Sequence, residues 1–309
     1  ALILVVAAGL LIYFASNRFC YFSQQRFGNW SHIQWKYQSD SNVGLSSLQI
    51  VGHRGSGIQS TDSEAEFENK LIGNTASSIK AAIKIADWIE IDIRRSKDGE
   101  LVVFHDSNVA AQTDFDLKKS LLNSSTGAVS GLTLSQLKSL TLKVELEEKI
   151  LTLDEVFALF PSHDIRWIFD IKERGISQSV LDWLKEKKIP NQLILFGDFD
   201  VLEDYQDSSY PLGYTTLFGK SWKIAISSPS ELFDRCNEIG CSLIVVPIFF
   251  VTDSFVDIAR QRNIEVWCYD SNDKRDLEYA RGCGVKGVIV DNPREVIRGP
   301  GKETRSSVR

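Results

Sequence analysis

Two carboxylates and a histidine are spaced within Trp88 to Asp106 so that one short hairpin could gather them. Glu90 and Asp92 alternate with isoleucines, so in a β-strand both acids would share one face and the isoleucines the other. Asp98-Gly99 is typical of a two-residue turn, and that register would pair Asp92 with His105. Acids and an imidazole on one surface are suited to proton transfer and cation binding, and a purely structural hairpin gives no reason for them.

A second polar group follows the short apolar run Leu48 to Gly52, where His53 and Arg54 precede the glycines of HRGSG. Polar groups at the carboxyl end of a strand are where barrels and open sheets present ligands. The planar guanidinium of Arg54 can hold two phosphate oxygens, and nearby glycines let the backbone approach a ligand closely. The sequence therefore suggests an anion site here, although a histidine at a strand end is often only structural.

Taken in order, these segments resemble the glycerophosphodiester phosphodiesterase family, whose pattern runs HRG, ENT, ELD and then a histidine-aspartate pair. This chain has HRGSG, GNTASSIKAAI and WIEIDIRRSKDGELVVFHD, and later segments agree in order: LTLDEVF, WIFDIK, EVWCYD and GVIVDNP. The resemblance covers roughly Ile50 to Pro293. Two positions depart from the pattern: Gly73 stands where a glutamate is usual, and Asp170 stands where the later strand usually has a glutamate.

The resemblance implies hydrolysis of glycerophosphodiesters to glycerol 3-phosphate and an alcohol. It assigns His53 and His105 as the general acid and base, and it places Arg54 and Lys172 on the phosphate. A phosphodiester needs charge neutralisation, a base for the attacking hydroxyl and an acid for the departing alcohol. Either a water or the substrate's own glycerol hydroxyl could attack. Lys172 could instead be a salt-bridge partner of Asp170, two residues earlier.

Metal ligands and a substrate pocket complete the predicted site. Glu90, Asp92 and Asp170 are hard oxygen ligands that suit one divalent cation, Mg²⁺ or Ca²⁺, better than a soft transition metal. Trp267, near the end of a late strand, is assigned to the glycerol pocket, with a core tryptophan as the alternative. Asp291 is interpreted as part of a strand-ending turn and is left outside the site.

Two other functions remain open at this stage. A lysophospholipase D-like enzyme would use the same centre on single-chain lipids. A non-catalytic glycerophosphodiester-binding barrel would have kept the fold and lost the reaction, and Gly73 is the best support for it. The presence of both histidines and all three acids disfavours this last reading.

Apolar runs alternate with helix-like stretches along the chain, which predicts a distorted TIM-type (β/α)8 barrel of parallel strands. Nine strands are predicted where a barrel needs eight, and the hairpin accounts for the extra one because its turn leaves no room for a crossover helix. The predicted strands are 48–52, 88–94, 100–105, 166–171, 192–197, 211–217, 242–247, 264–269 and 286–291. A longer excursion over 107–155 is expected to cover one edge of the barrel mouth.

Composition allows one large domain, because the 309 residues include 43% hydrophobic residues. The net charge of -6 argues against nucleic acid as a partner. Ala1 to Ala15 is apolar, which predicts an N-terminal apolar helix and a single-pass, membrane-anchored protein with its side undecided. The predicted organisation is a membrane anchor or uncleaved signal segment at 1–22, a linker at 23–46, the phosphodiesterase barrel at 47–298 and a flexible tail at 299–309.

Overall fold

Parallel strands that are covered on both faces consist of continuous apolar runs, and the chain has several of them. The computed structural model describes residues 48–57, 71–143, 148–161, 164–189, 193–215, 229–269 and 273–298. Within these ranges ten strands form one sheet. They are β1 (Gln49–Gly52), β2 (Trp88–Arg95), β3 (Leu101–Val103), β4 (Leu151–Thr152), β5 (Trp167–Ile171), β6 (Leu193–Gly197), β7 (Leu212–Thr215), β8 (Cys241–Pro247), β9 (Glu265–Tyr269) and β10 (Gly287–Val290).

Eight of these strands close into a parallel barrel. The order runs β1, β10, β9, β8, β7, β6, β5, β2, and β1 also pairs with β2, so the sheet has no free edge within the barrel. Every residue of β5 and β6 is buried, as expected for strands covered by helices outside and side chains inside. The predicted TIM-type barrel is confirmed.

Helices lie between the strands and cover the barrel, as a (β/α)8 fold requires. The described helices are α1 (Ala76–Ala82), α2 (Phe115–Lys118), α3 (Leu134–Ser139), α4 (Leu153–Leu159), α5 (Ser177–Lys187), α6 (Phe199–Leu202), α7 (Pro229–Ile239), α8 (Asp253–Gln261), α9 (Lys274–Gly282) and α10 (Pro293–Arg298). Thr75, Thr133 and Thr152 begin α1, α3 and α4 with capping boxes, which satisfy backbone N–H groups that a helix start leaves free.

The hairpin of β2 and β3 is present, but its register differs from the prediction by one residue. Ile93 pairs with Val103, and the backbone N–H of Phe104 donates to the carbonyl of Asp92 at 3.0 Å. Asp92 therefore faces Phe104, and the predicted pairing of Asp92 with His105 is wrong. His105 lies beyond the last residue of β3, where the chain has left the ladder.

The turn itself explains the shift. Ser96 N–H donates to the Glu100 carbonyl at 2.9 Å, so three residues, not two, form the loop. Gly99 has φ +99, the left-handed position that a three-residue hairpin loop requires. The Ser96 hydroxyl also donates to Asp98 Oδ1 at 2.7 Å, and this bond favours Ser96 at the closing position.

The excursion after the hairpin packs around a core of its own. Strand β4 pairs with β3 and extends the sheet outside the barrel wall. A second buried cluster fills this layer, and its members are Val102, Phe104, Val109, Phe115, Val129, Leu132, Leu137, Leu140, Leu142 and Ile150. The loop that carries His105 is thereby fixed between the barrel and this cluster.

The predicted membrane location needs correction. Across the described ranges, no helix combines the length and the apolar character that a membrane crossing demands. The segments predicted as anchor (1–22), linker (23–46) and tail (299–309) lie outside the described residues. The prediction of a single-pass, membrane-anchored protein is overturned by this finding.

One prediction concerns the HRGSG turn. Gly55 has φ +85, and a Cβ there would lie 2.6 Å from the backbone N of Ile79 in α1. Gly240 has φ +84 but open space around it, so it is a matched control. We expect Gly240→Ala to lower the free energy of unfolding by about 1–2 kcal/mol through φ alone. Gly55→Ala should lower it by about 1–3 kcal/mol more through overpacking.

Urea denaturation followed by circular dichroism measures both losses. Equal losses for the two variants would contradict the close approach of the turn to α1.

Candidate functional site

Three buried carboxylates meet at the carboxyl ends of two neighbouring strands. Glu90 and Asp92 lie on β2, and the parallel pairing of β2 with β5 sets Asp92 opposite Asp170. One carboxylate oxygen from each residue lies within 4.8 Å of the others. The structure therefore brings the three predicted metal ligands together in one place.

Glu90 is the least neutralised of the three. Its Oε2 accepts a hydrogen bond from the Arg54 backbone N–H at 2.7 Å, whereas its buried Oε1 accepts none from the described residues. Burial, and then the charges of Asp92 and Asp170, raise the pKa of Glu90 well above its usual value. A divalent cation bound by all three carboxylates would relieve both effects, and their spacing is compatible with metal–oxygen distances of about 2.0–2.6 Å. The residues fit such an ion.

Two cations balance most of the remaining charge. Lys172 Nζ lies 2.9 Å from Asp92 Oδ1 and 2.5 Å from Asp170 Oδ2, and Arg54 Nε lies 3.1 Å from Asp92 Oδ2. Burial alone would raise the pKa of Asp92, but Lys172 and Arg54 outweigh it and hold that pKa well below its usual range. Burial would lower the pKa of Lys172, but Asp170 and Asp92 raise it instead. Lys172 thus occupies the salt-bridge position foreseen as its alternative role.

The turns after β1 and before α1 hold Asp92 and Arg54 in place. Arg54 and Asn74 both have left-handed backbones, with φ 52 and 63. Asn74 N–H donates to the Arg54 carbonyl at 2.9 Å. The Asn74 side chain donates to Asp92 Oδ2 at 2.7 Å and accepts from the Asp92 N–H at 3.1 Å. Asn74 is therefore part of the site, a role that the sequence analysis did not give it.

Gly73, the departure from the family's ENT pattern, sits against this arginine. A Cβ at Gly73 would lie 2.6 Å from Arg54 Cβ and 2.9 Å from its Cδ. The missing side chain lets the turn pack directly on the stem of Arg54. A glutamate in this backbone position would require Arg54 to move.

His53 pairs with an acid that the sequence analysis left outside the site. The two residues follow β1 and β10, which pair Gly52 with Val290. His53 Nδ1 lies 2.7 Å from Asp291 Oδ1. Asp291 thus fixes the ring of His53, and its interpretation as only a strand-ending turn is corrected. The sequence carried one signal for this contact. Asp291 follows the last strand, and a closed barrel places the last strand beside the first strand, which His53 follows.

His105 has an equivalent partner in the next residue. Its Nδ1 lies 2.7 Å from Asp106 Oδ1, and Gln112 Nε2 donates to Asp106 Oδ2 at 2.8 Å. Burial lowers the pKa of His105, partly offset by Asp106. Both imidazoles are near enough to Asp92 to lower its pKa. A carboxylate at Nδ1 leaves Nε2 as the nitrogen available for proton transfer.

The structure does not bring Trp267 to this group. Its side chain is 2% exposed, and its ring centroid lies 6.0 Å from that of Trp88 and 6.3 Å from that of Phe196. Its indole N–H donates to Glu265 at 3.2 Å, and Glu265 is the first residue of β9, at the amino end of the strand. Trp267 therefore belongs to the core of the barrel, and the substrate-pocket assignment is not supported.

Comparison with known proteins shows the family to which the sequence is similar. The sequence profile of the glycerophosphoryl diester phosphodiesterase family matches residues 53–295. A glycerophosphodiester phosphodiesterase of Caldanaerobacter subterraneus subsp. tengcongensis is 26% identical over 80% of this chain and 96% of its own length.

Two solved structures are also similar. The glycerophosphodiester phosphodiesterase of Thermotoga maritima superposes with a TM-score of 0.60 at 25% identity, covering 81% of this chain and 97% of its own. An Oleispira antarctica phosphodiesterase, solved with sn-glycerol-3-phosphate as product, has a TM-score of 0.62 at 19% identity, covering 82% and 98%. At that identity the second likeness supports the fold alone.

The carboxylate cluster generates a prediction about cation binding. Glu90→Gln keeps an acceptor for the Arg54 N–H. It removes the buried carboxyl group, whose ionised form is disfavoured by burial and by the neighbouring acids. In EDTA the variant should melt at or above the wild-type temperature, whereas added Mg²⁺ or Ca²⁺ should raise the melting temperature of the wild type far more than that of the variant. When the free ion concentration is about 100 times the dissociation constant, binding raises the free energy of unfolding by about 2.7 kcal/mol.

Differential scanning calorimetry gives both readouts. Glu100→Gln, an exposed position in the hairpin turn, is the control and should respond to the ion as the wild type does. An equal ion-induced shift in wild type and Glu90→Gln would contradict the metal site.

Proposed function

The chain belongs to the glycerophosphoryl diester phosphodiesterase family and is a phosphoric diester hydrolase, and from this premise we propose how its residues cleave glycerophosphodiesters to glycerol 3-phosphate and an alcohol. The proposal is a metal-assisted reaction with two aspartate-oriented histidines. The observation that carries it is the cluster of Glu90, Asp92 and Asp170, whose ligand oxygens lie within 4.8 Å of one another. Two aspartate–histidine pairs lie near this cluster. His53 and Asp291 follow β1 and β10, and His105 and Asp106 follow β3.

The carboxylates would hold one divalent ion, Mg²⁺ or Ca²⁺. When bound there, such an ion offsets negative charge on the phosphoryl oxygens. The protein itself holds Asp92 in place, because Lys172 and Arg54 neutralise this carboxylate and Asn74 fixes its orientation. A preformed ligand set keeps the cost of reorganisation low at the moment of reaction.

The histidines supply the acid and the base. Asp291 holds Nδ1 of His53, and Asp106 holds Nδ1 of His105. Each aspartate fixes the ring orientation and the tautomer, so that Nε2 can accept or release the proton. A base must be neutral before the reaction, and the burial that lowers the pKa of His105 favours that state there.

Arg54 and Lys172 are the phosphate ligands in this proposal. Lys172 Nζ has three donors, and the two contacts with Asp92 and Asp170 leave one for a phosphoryl oxygen. Arg54 contacts Asp92 through Nε, so its terminal nitrogens are the donors available to a ligand. Both cations are nearly fully buried, which strengthens their interaction with an anion that enters the same space.

A direct test uses glycerophosphocholine as substrate, with glycerol 3-phosphate release as the readout. We expect turnover with Mg²⁺ or Ca²⁺, loss of turnover in EDTA, and recovery when the ion is restored. Activity that is insensitive to chelation would exclude the metal-assisted mechanism. Lysophosphatidylcholine is assayed in parallel, and faster turnover of it would move the assignment to a lysophospholipase D-like enzyme.

The aspartate–histidine pairs lead to a graded prediction. His53→Ala and His105→Ala should each lower kcat by about 10²- to 10⁴-fold, the range for a positioned acid or base. Asp291→Asn and Asp106→Asn should lower it by at least about 10-fold, because asparagine can hold the wrong tautomer. All four variants should keep the ion-induced rise in melting temperature. A folded histidine variant with near-normal kcat would refute the two-histidine mechanism.

A further inference from the structure

Arg94 is a buried cation at the edge of the site for which the proposed reaction has no role. It follows Asp92 by two residues on β2, so its side chain leaves the strand on the same face. The residue is 8% exposed. It borders an open cleft whose other walls include His105, Asp106 and Lys172.

The guanidinium of Arg94 contacts three groups on two different segments. Its Nε donates to the His105 carbonyl at 2.8 Å. Its Nη1 lies 3.5 Å from the Lys172 carbonyl and 3.3 Å from Glu173 Oε2. A planar fork of donors can reach acceptors on two sides at once, which a lysine ammonium on a flexible stem does less well.

The two segments need such a link because both lie just past the end of a strand. β3 ends at Val103, and β5 ends at Ile171. The backbone bond from Phe104 to Asp92 is the last rung of the hairpin before His105. Beyond it, the bond from Arg94 Nε ties the His105 backbone to the barrel wall.

Glu173 fixes the arginine from the other side. Its Oε2 faces Arg94 Nη1, and its Oε1 accepts the backbone N–H of Arg95 at 2.9 Å. The carboxylate therefore compensates the buried guanidinium and anchors it to its own strand. A guanidinium held in this way has a fixed orientation, so its hydrogen bonds also fix the carbonyls of His105 and Lys172.

We propose that Arg94 is a positioning residue, which fixes the backbone of His105 against the strand end that carries Lys172. This inference rests on the proposed function, because it assumes that His105 and Lys172 act on the substrate. Arg94 itself holds the two loops at their catalytic separation. Its loss leaves the carboxylate cluster intact but lets the histidine drift from the reacting phosphate.

Arg95 is a matched control on the same strand. As the next residue it points to the opposite face, where its Nη1 lies 3.3 Å from the Ser179 hydroxyl of α5. Replacing Arg95 by alanine removes an arginine from the same hairpin without touching His105 or Lys172. A general weakening of the hairpin would affect Arg94→Ala and Arg95→Ala alike.

The experiment compares wild type, Arg94→Ala, Arg94→Lys and Arg95→Ala in steady-state kinetics and in amide hydrogen exchange. In Arg94→Ala we expect kcat to fall by about 10- to 10²-fold, as for a misplacement of about 1 Å, with KM changed far less. Exchange should accelerate in peptides that cover residues 104–112. Added guanidinium should restore part of kcat, Arg94→Lys should lie between, and Arg95→Ala should match the wild type in both readouts.

Several results would overturn the inference. Unchanged exchange over residues 104–112 in Arg94→Ala would show that the arginine does not hold the loop, whether or not the enzyme turns over the diester. Accelerated exchange with wild-type kcat would show that the loop position is irrelevant to the reaction. Equal loss of kcat in Arg95→Ala would point to general destabilisation. A wild-type protein without diesterase activity would instead reject the proposed function, and exchange would still decide whether Arg94 holds the loop.

Discussion

The balance of buried charge at the ends of β2 and β5 is the constraint on which the rest of the site depends. Three carboxylates that lie this close and this deep would be strongly destabilising alone, because burial and mutual repulsion both disfavour their ionised forms. Lys172 and Arg54 offset most of that cost. The cluster then has three carboxylates and two cations. Glu90 carries the excess negative charge: its Oε1 accepts no hydrogen bond from the described residues, and its pKa is raised. A divalent cation is the natural complement of such a cluster.

Closure of the barrel is what assembles this balance. Arg54 follows β1, whereas Asp92, its ion-pair partner, lies on β2, so the guanidinium reaches Asp92 only when β1 pairs with β2. The other edge of β1 pairs with β10, and that contact sets His53 beside Asp291. One short strand therefore joins the charge cluster to the His53–Asp291 pair, which is proposed to transfer a proton. This part of the site therefore requires the closed barrel.

Features that depend on residues close together in the sequence could be predicted, and features that depend on contacts between distant residues could not. The apolar runs and their spacing predicted the barrel strands, because burial acts through local periodicity. The hairpin register was missed by one residue, since the Ser96 side chain decides between a two- and a three-residue loop. Asp291 was interpreted only as part of a turn because its partner His53 lies far along the chain, and Arg94 gave no signal because it contacts a backbone carbonyl. No residue pattern reports such contacts before the topology is known.

The turn around Arg54 shows how the site keeps a strained backbone without a flexible loop. Arg54 and Asn74 both adopt left-handed conformations, which are unfavourable for residues with a Cβ. Each is held by the other through the bond from Asn74 N–H to the Arg54 carbonyl, and each also binds a carboxylate of the cluster. Gly73 permits this contact because a Cβ there would collide with the arginine stem. The departure from the family's glutamate is therefore part of how this chain orients Arg54, the residue proposed to bind phosphate, and it gives no sign of a lost reaction.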